Sequence, residues 1–266
     1  MNSCQKEPEP IAVPETKILG HRGSGATALS GIQENTLTSV ANAFAKLHGA
    51  EVDIQCSKDG TIWLYHDSDL PSIALPLICI PQSTDSELDQ FASQHEDFTL
   101  TRLEEVFALM TQMSKVPYLS LDVKGHFSSQ CFEGENAPES YFELMAASLS
   151  DLLDRYNVSG RVMVETDYQN FLDLMIAHEP RVECYLLGYS NFSERMEVAL
   201  RKKYHGISYN HNNQDLSGVD ILSAHQKGLK VQLWTLGNET DFLRVLEWNP
   251  DFIQAGYVEL GQQFMD

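Results

Sequence analysis

Basic residues are scarce in this chain of 266 residues, which has 18 Lys and Arg against 38 Asp and Glu and hence a formal net charge of −20. Binding nucleic acid or an anionic membrane over a large surface needs clustered Lys and Arg, so neither is expected as a partner. A small anionic ligand in a locally basic pocket remains compatible with this charge. No apolar run approaches the about 18 residues that span a bilayer, so no transmembrane segment is expected.

Cysteine is also sparse: five residues stand at positions 4, 56, 79, 131 and 184, without a Cys-x-x-Cys pair. This pattern excludes a zinc ribbon and argues against a disulfide framework. The N-terminus lacks the basic and apolar regions of a signal peptide. Ser3-Cys4-Gln5 nevertheless resembles the start of a mature bacterial lipoprotein, so a lipid anchor at Cys4 in an extracytoplasmic protein is one interpretation. The alternative is a frayed terminus with an incidental cysteine, in a protein that is cytoplasmic as written.

Short apolar runs alternate with helical stretches after an extended tether over residues 1–15. The predicted strands are Lys17–His21, Ala50–Gln55, Tyr118–Lys124, Arg161–Glu165, Val182–Leu187, Gly206–Asn210, Lys230–Leu236 and Asp251–Ala255. The predicted helices are Asn35–Leu47, Thr101–Met113, Glu139–Tyr156, Gln169–Ala177, Ser193–Lys203, Gly218–Lys227 and Glu239–Trp248. Eight such units predict one α/β domain over residues 16–266, a (β/α)8 TIM barrel, with an open doubly wound sheet as the alternative.

Two segments interrupt this alternation. The turn at Ser57-Lys58-Asp59-Gly60 is followed at once by a strand over Thr61–His66, which predicts a small hairpin inserted after strand 2. Residues 71–98 contain Pro, Ser and Asp and show little periodicity, so we expect a long excursion rather than a second domain.

Polar side chains stand at the carboxyl ends of the predicted strands, where a barrel of this type carries its chemistry. His21 and Arg22 end the first strand, and His66 and Asp67 follow the hairpin. Glu51 and Asp53 are two residues apart, as are Asp122 and Lys124, so each pair shares one face of its strand. Asn210-His211 and Trp234-Thr235 end two later strands.

Three carboxylates directed into one cavity repel one another and need compensation. A hard divalent cation with oxygen ligands supplies it, and Glu51, Asp53 and Asp122 would leave positions for water or substrate. Arg22 and Lys124 are the fixed cations available to a phosphate group. His21 and His66 are the natural proton-transfer pair near neutral pH.

These residues fall in segments that resemble the glycerophosphodiester phosphodiesterase family. The matching motifs are Gly20-His21-Arg22-Gly23, Gln33-Glu34-Asn35-Thr36-Leu37, Glu51-Val52-Asp53, Ser57-Lys58-Asp59-Gly60, His66-Asp67, Leu121-Asp122-Val123-Lys124, Ala224-His225-Gln226-Lys227-Gly228 and Val231-Gln232-Leu233-Trp234-Thr235. The match is dense over residues 18–67 and 218–236 and thin between 125 and 217.

The resemblance implies a TIM barrel that holds Ca²⁺ or Mg²⁺ and hydrolyses glycerophosphodiesters, as small-molecule substrates, to glycerol 3-phosphate and an alcohol. It makes Glu51, Asp53 and Asp122 metal ligands and His21 and His66 the general base and acid. It also makes Arg22 and Lys124 phosphate ligands, has Glu34 order the first loop and contact the metal shell, and packs Trp234 against glycerol.

The chain departs from the family pattern at several points, which bear on substrate choice. Asp122 stands where Glu is common, and Gln254-Ala255-Gly256-Tyr257 replaces a closing Thr-Asp-x-Pro. His126, Tyr189, Asn210 and His211 are further candidates for the mouth of the barrel.

Three other functions deserve comparison with the sequence. A phospholipase D-like enzyme acting on intact lyso- or sphingophospholipids would use Leu75–Pro81 as an apolar rim, and a non-catalytic barrel would bind a phosphodiester without turnover. An amidohydrolase-type barrel is disfavoured because no His-x-His occurs.

Overall fold

The computed structural model describes residues 15–71, 78–125, 129–132 and 138–265. The strands in these residues are β1 (Lys17–Gly20), β2 (Gly49–Cys56), β3 (Ile62–Leu64), β4 (Thr101–Arg102), β5 (Tyr118–Val123), β6 (Val162–Thr166), β7 (Glu183–Gly188), β8 (Gly206–Asn210), β9 (Lys230–Leu236) and β10 (Phe252–Ala255). The α-helices are α1 (Thr27–Ser30), α2 (Leu37–Lys46), α3 (Asp85–Gln94), α4 (Leu103–Gln112), α5 (Ser129–Phe132), α6 (Glu139–Tyr156), α7 (Gln169–His178), α8 (Phe192–Lys202), α9 (Gly218–Gln226), α10 (Glu239–Leu246) and α11 (Val258–Gln262). Short 3₁₀ turns lie at Ile80–Gln82 and Ser159–Arg161.

Eight strands, all except β3 and β4, pair in parallel and close into a barrel. β1 completes the ring, because it pairs with β10 on one side and with β2 on the other through Leu19↔Gly49 and Gly20↔Ala50. Helices lie between successive barrel strands, so the expected (β/α)8 architecture is confirmed and the open doubly wound sheet is excluded.

The side chains of β2 alternate between the apolar packing face and the barrel interior. Val52 and Ile54 point outward into the large apolar core beneath the helices and are fully buried. Glu51 and Asp53 lie on the opposite face of the same strand and are also buried, toward the barrel interior. All eight residues of β2 are therefore buried, although half of one face carries charge.

The hairpin after β2 is confirmed and is larger than expected. β3 runs antiparallel to β2, and β4 adds a third antiparallel strand through Trp63↔Arg102 and Leu64↔Thr101. The helix expected from Thr101 consequently begins at Leu103, because the two preceding residues are paired with β3.

Residues 71–98, where the weak periodicity predicted an excursion, contain a regular helix in their second half. Helix α3 occupies Asp85–Gln94, and Thr84 and Glu87 form a capping box at its N-terminus. Six buried side chains give this region a small apolar cluster of its own: Trp63, Leu70, Ile80, Leu88, Phe91 and Leu100. Of the apolar stretch 75–81, residues 75–77 lie outside the described residues, whereas Cys79, Ile80 and Pro81 are buried.

The cysteine pattern argued against a disulfide framework, and the described residues contain one disulfide. Cys79 and Cys131 form a disulfide with a Cα–Cα separation of 5.7 Å, across 52 residues of sequence. Spacing alone could not reveal it, because the two cysteines approach only after the excursion folds beside the end of β5. Cys56 and Cys184 are buried free thiols, and Cys4 lies outside the described residues.

None of the described helices combines the length and apolarity needed to cross a membrane. Residues 1–14 lie outside the described part of the chain, so the tether, the domain boundary after residue 15 and the anchor at Cys4 stay predictions.

Candidate active site

A cavity of about 260 Å³ opens at the carboxyl ends of the barrel strands. Eight of the nine residues expected at the site line it: His21, Arg22, Glu51, Asp53, His66, Asp122, Lys124 and Trp234. The ninth, Glu34, does not line the cavity but contacts Arg22, with 2.6 Å between Glu34 Oε1 and Arg22 Nη1. The barrel therefore brings together residues that are far apart in sequence.

The loop after β1 places His21 and Arg22 over β2. Arg22 and Gly23 both adopt positive φ, at 52° and 81°, and a Cβ at Gly20 would lie 1.9 Å from Gly23 O. Glycine is therefore required at position 20 by the close approach and favoured at position 23 by the backbone angle. The turn directs the Arg22 backbone N–H to Glu51 Oε2, to which it donates at 2.8 Å.

Glu51, Asp53 and Asp122 each offer an oxygen, and these three atoms lie within 4.8 Å of one another. Asp53 and Asp122 are direct neighbours across β2 and β5. Burial and the neighbouring carboxylates, Asp53 foremost, raise the pKa of Glu51 well above its ordinary value. Burial likewise raises the pKa of Asp122, against the opposing effect of Lys124.

Asp53 carries its charge because cations and an amide surround it. Lys124 Nζ lies 2.8 Å from Asp53 Oδ1 and 2.6 Å from Asp122 Oδ2. Asn35 donates to Asp53 Oδ2 at 2.7 Å, and Arg22 Nε lies 3.4 Å from the same oxygen. Burial alone would raise the pKa of Asp53, but Lys124, His66 and Arg22 together outweigh it and hold that pKa well below its usual range.

The donor set fits a hard divalent cation. The cluster offers carboxylate oxygens without sulfur or nitrogen, which is the ligand type that Ca²⁺ and Mg²⁺ prefer. Glu51 is 2% exposed and sits among like charges, and a cation beside it would remove that repulsion.

The two histidines occupy different environments at the rim of this cluster. Burial, followed by the nearby Arg22 charge, lowers the pKa of His21 to about 3, so its ring is neutral at pH 7. His21 Nε2 lies 3.8 Å from Glu51 Oε2. His66 Nδ1 and Asp67 Oδ1 are 2.7 Å apart, which orients the His66 ring.

An aromatic wall closes one side of the cavity. The Tyr189 and Trp234 rings meet edge to face, with centroids 5.4 Å apart. The indole Nε1 of Trp234 is buried and has no hydrogen-bond partner among the described residues. Of the further candidates for the mouth, Tyr189 lines the cavity, whereas Asn210 and His211 do not, and His126 lies outside the described residues.

Sequence reasoning missed Glu165, which also lines the cavity and is 1% exposed. Burial and the Asp122 charge raise the pKa of Glu165 to about 7. A signal was present, because Glu165 stands near the carboxyl end of a barrel strand, like the carboxylates that were identified.

Known proteins resemble this chain over most of its length. The sequence model of the glycerophosphoryl diester phosphodiesterase family matches residues 21–258. A glycerophosphodiester phosphodiesterase from Bacillus subtilis (strain 168) is 23% identical over 255 residues, which are 91% of this chain and 84% of that protein.

Solved structures share the fold. A proposed glycerophosphoryl diester phosphodiesterase from Silicibacter pomeroyi DSS-3 has a TM-score of 0.77 at 18% identity and covers 94% of this chain and 92% of its own. An Oleispira antarctica phosphodiesterase, solved in complex with the product sn-glycerol-3-phosphate, has a TM-score of 0.74 at 19% identity, covering 93% of this chain and 95% of its own.

The family match includes every residue that lines the cavity, from His21 to Gln254. The resemblance expected from the motifs is thus confirmed. This chain belongs to the glycerophosphoryl diester phosphodiesterase family and is an enzyme, a phosphoric diester hydrolase.

Proposed function

We propose that this chain hydrolyses glycerophosphodiesters to glycerol 3-phosphate and an alcohol, with a divalent cation at Glu51, Asp53 and Asp122 and with His21 and His66 transferring the protons. The observation that carries this proposal is the convergence of three carboxylates, two basic side chains and two histidines on one cavity. The sn-glycerol-3-phosphate bound to the Oleispira antarctica relative agrees with the proposed product.

The charges in the cavity suit a phosphodiester when the carboxylates hold a cation. Three carboxylates contribute −3 and Arg22 and Lys124 contribute +2, which leaves −1. A bound Ca²⁺ or Mg²⁺ would change this to +1 and would polarise a phosphoryl oxygen. A phosphodiester with a charge of −1 then completes neutrality.

Arg22 and Lys124 are the groups that would hold the phosphate oxygens. Glu34 fixes one end of the Arg22 guanidinium and leaves Nε buried beside the cavity without a full hydrogen bond. Lys124 donates to Asp53 and Asp122, so it holds these two carboxylates in place and contributes a positive charge at the same time. A direct contact of Glu34 with the metal shell stays a prediction.

The histidine environments suggest a division of labour. His21 is neutral, so it can accept a proton from the attacking oxygen. Asp67 at Nδ1 of His66 can balance the positive charge of a ring that also carries a proton on Nε2. His66 is therefore the proposed acid that protonates the leaving alcohol, and Trp234 is the proposed apolar wall for glycerol.

The experiment is a measurement of glycerol 3-phosphate release from a panel of glycerophosphodiesters. We expect release that stops in EDTA and returns on addition of Ca²⁺ or Mg²⁺. Release that is unaffected by EDTA in protein shown to be free of metal would contradict the role of the cation, and no release from any diester would contradict the reaction.

Variants test the histidines separately. His21→Ala and His66→Ala should each lower kcat by at least about 100-fold, which is the typical contribution of a general acid or base. His178→Ala, at an exposed residue at the end of α7, is the matched control and should leave kcat unchanged. Near wild-type kcat in both active-site variants would refute the acid–base assignment.

No observation favours the lipid-acting alternative over this reaction. The part of its expected apolar rim that the structure describes includes Cys79 and Ile80, which are buried. Intact lysophospholipids belong in the same substrate panel, and a preference for them would replace the proposed substrate class.

A further inference from the structure

The barrel interior beneath the carboxylate cluster is polar, although interior layers of such barrels are usually filled by branched apolar residues. Five side chains from five strands meet there, and each is at most 3% exposed. We call them the polar layer: Ser120 on β5, Glu165 on β6, Ser208 on β8, Gln232 on β9 and Gln254 on β10.

Glu165 is the centre of the polar layer. Its Oε1 accepts hydrogen bonds from Ser120 Oγ at 3.0 Å and from Gln254 Nε2 at 2.7 Å. Its Oε2 accepts one from Gln232 Nε2 at 2.8 Å, and the same amide reaches Ser208 Oγ at 3.1 Å. The side chain is therefore held in one place by donors from three other strands.

These donors satisfy the oxygens of Glu165 without cancelling its charge. Amides and hydroxyls are neutral, whereas a Lys or Arg in their place would form an ion pair. Among the described residues, no nitrogen of Lys, Arg or His lies within 4.0 Å of a Glu165 oxygen. Burying a charge without an opposite charge is costly and raises the pKa of Glu165, so a cation bound nearby would stabilise its ionised form.

Glu165 lies next to the cluster of three carboxylates, so its charge can act on them. Glu165 is the register neighbour of Asp122 across β5 and β6, and its side chain reaches the same cavity. Its charge acts on both Glu51 and Asp122. An ionised Glu165 adds one negative charge to the cavity, which favours a cation there.

We propose that Glu165 is a fourth carboxylate of this site, which strengthens divalent-cation binding from the layer beneath the three ligands without joining them. It is a positioning residue rather than a ligand, because the three converging oxygens belong to Glu51, Asp53 and Asp122. Gln232, Gln254 and Ser120 hold its carboxylate in the barrel interior. This inference rests on the proposed function, which supplies the cation.

The test is calorimetric titration of Mg²⁺ and of Ca²⁺, without substrate, into metal-free wild-type protein and the Glu165→Gln variant at pH 8. Gln has the same shape and lacks the charge. Residues that support metal ligands typically contribute about 10- to 100-fold in affinity, and we expect a loss in that range. Glu96→Gln removes an exposed acidic charge outside the cavity, so its affinity should stay within about twofold of wild type.

Each result has one meaning. Equal affinities of wild type and Glu165→Gln overturn the role of Glu165 and leave the proposed function intact. If the wild type binds neither cation, the divalent cation in the proposed function is itself refuted. An equal loss in Glu165→Gln and Glu96→Gln shows a general effect of protein charge and also overturns the role of Glu165.

Thermal unfolding of the metal-free proteins accompanies the titrations, because a purely structural role would change the melting temperature and not the affinity. If Glu165→Gln does not fold, Glu165→Asp and Glu165→Ser replace it. The Asp variant keeps the charge and should retain affinity within about fivefold, whereas the Ser variant should show the full loss. Equal affinity in these two variants would refute the proposal.

Discussion

Buried histidines in this barrel serve different purposes, and their hydrogen bonds distinguish them. His211 follows β8 and is 1% exposed. Its Nε2 donates to Thr235 O at 3.1 Å, and Arg244 donates to its Nδ1 at 3.0 Å. This arrangement is complete for a neutral ring and has no place for a second proton. His211 thus supports the Trp234-Thr235 segment of the cavity wall from behind.

Acidification should therefore destabilise the protein through His211. Burial, more than the neighbouring Arg244, lowers the pKa of His211, whereas Asp241 opposes this shift. Below the unfolded-state pKa of about 6.5, the His211 ring binds a proton in the unfolded chain but not in the folded chain. The free energy of unfolding therefore falls as pH falls. His211→Gln should lower that free energy by about 1–3 kcal/mol at pH 7.5, by loss of buried hydrogen bonds.

The difference between wild type and His211→Gln should shrink at pH 5.5, and urea unfolding at the two pH values measures it. His178→Gln, at an exposed position, should show no such change. A wild-type advantage that grows on acidification would mean that the folded ring is protonated.

The residue scale also shows what sequence patterns can predict. Glu51 and Asp53 could be identified because a period of two places both side chains on one face of a strand. Glu165 also lies on a barrel strand, but its sequence position alone predicts only the end of that strand. Its significance comes from Gln232 and Gln254, which are 67 and 89 residues away in sequence. A single sequence carries no record of such cross-barrel contacts.

Elements outside the barrel hold the rim of the cavity. Asp85, at the start of α3, accepts hydrogen bonds from Ser57, Thr61 and Trp63, which joins the excursion to the hairpin. The sequence signals for α3 were local, in the form of Thr84 and Glu87, but were obscured by the weakly periodic residues around them. The pairing of β4 with β3 had no local signal and depends on long-range contact.

The disulfide between Cys79 and Cys131 should stabilise this part of the molecule. It joins the segment before the 3₁₀ turn at Ile80–Gln82 to α5, beside the loop that carries His66. Cys131 Sγ lies 3.3 Å from Ser68 O, two residues beyond His66. We expect the Cys79→Ser/Cys131→Ser double variant to lose about 2–4 kcal/mol of stability.

Denaturant unfolding of the oxidised wild type and the double variant measures this loss. Dithiothreitol should lower the stability of the wild type toward that of the double variant and leave the double variant unchanged. If the two proteins are equally stable without reductant, the bond contributes nothing to the fold.

At the scale of the whole molecule, an acidic protein concentrates further negative charge in its one described catalytic cavity. The chain as a whole carries −20, and Glu51, Asp53, Asp122 and Glu165 share a small buried volume. Like charges in such a site repel one another and destabilise the metal-free protein. Binding of a cation should therefore raise the stability of the protein as well as its activity.

We expect Mg²⁺ or Ca²⁺ to raise the melting temperature of the metal-free protein. At 100 times its dissociation constant, a ligand that binds only the folded state contributes about 2.7 kcal/mol. For a chain of this size, about 2–4 °C per kcal/mol gives an increase of about 5–10 °C. Differential scanning calorimetry after EDTA treatment, at constant ionic strength, measures it.

Glu51→Gln separates specific binding from general screening of the acidic surface. Because this change removes a buried charge from a repulsive cluster, the metal-free variant should melt above the metal-free wild type and should lose most of the increase on adding cation. Glu96→Gln, at an exposed position beyond α3, should retain the full increase. An equal increase in both variants would place the effect on the surface, and the carboxylate cluster would then need another explanation, because its buried charges would remain unneutralised.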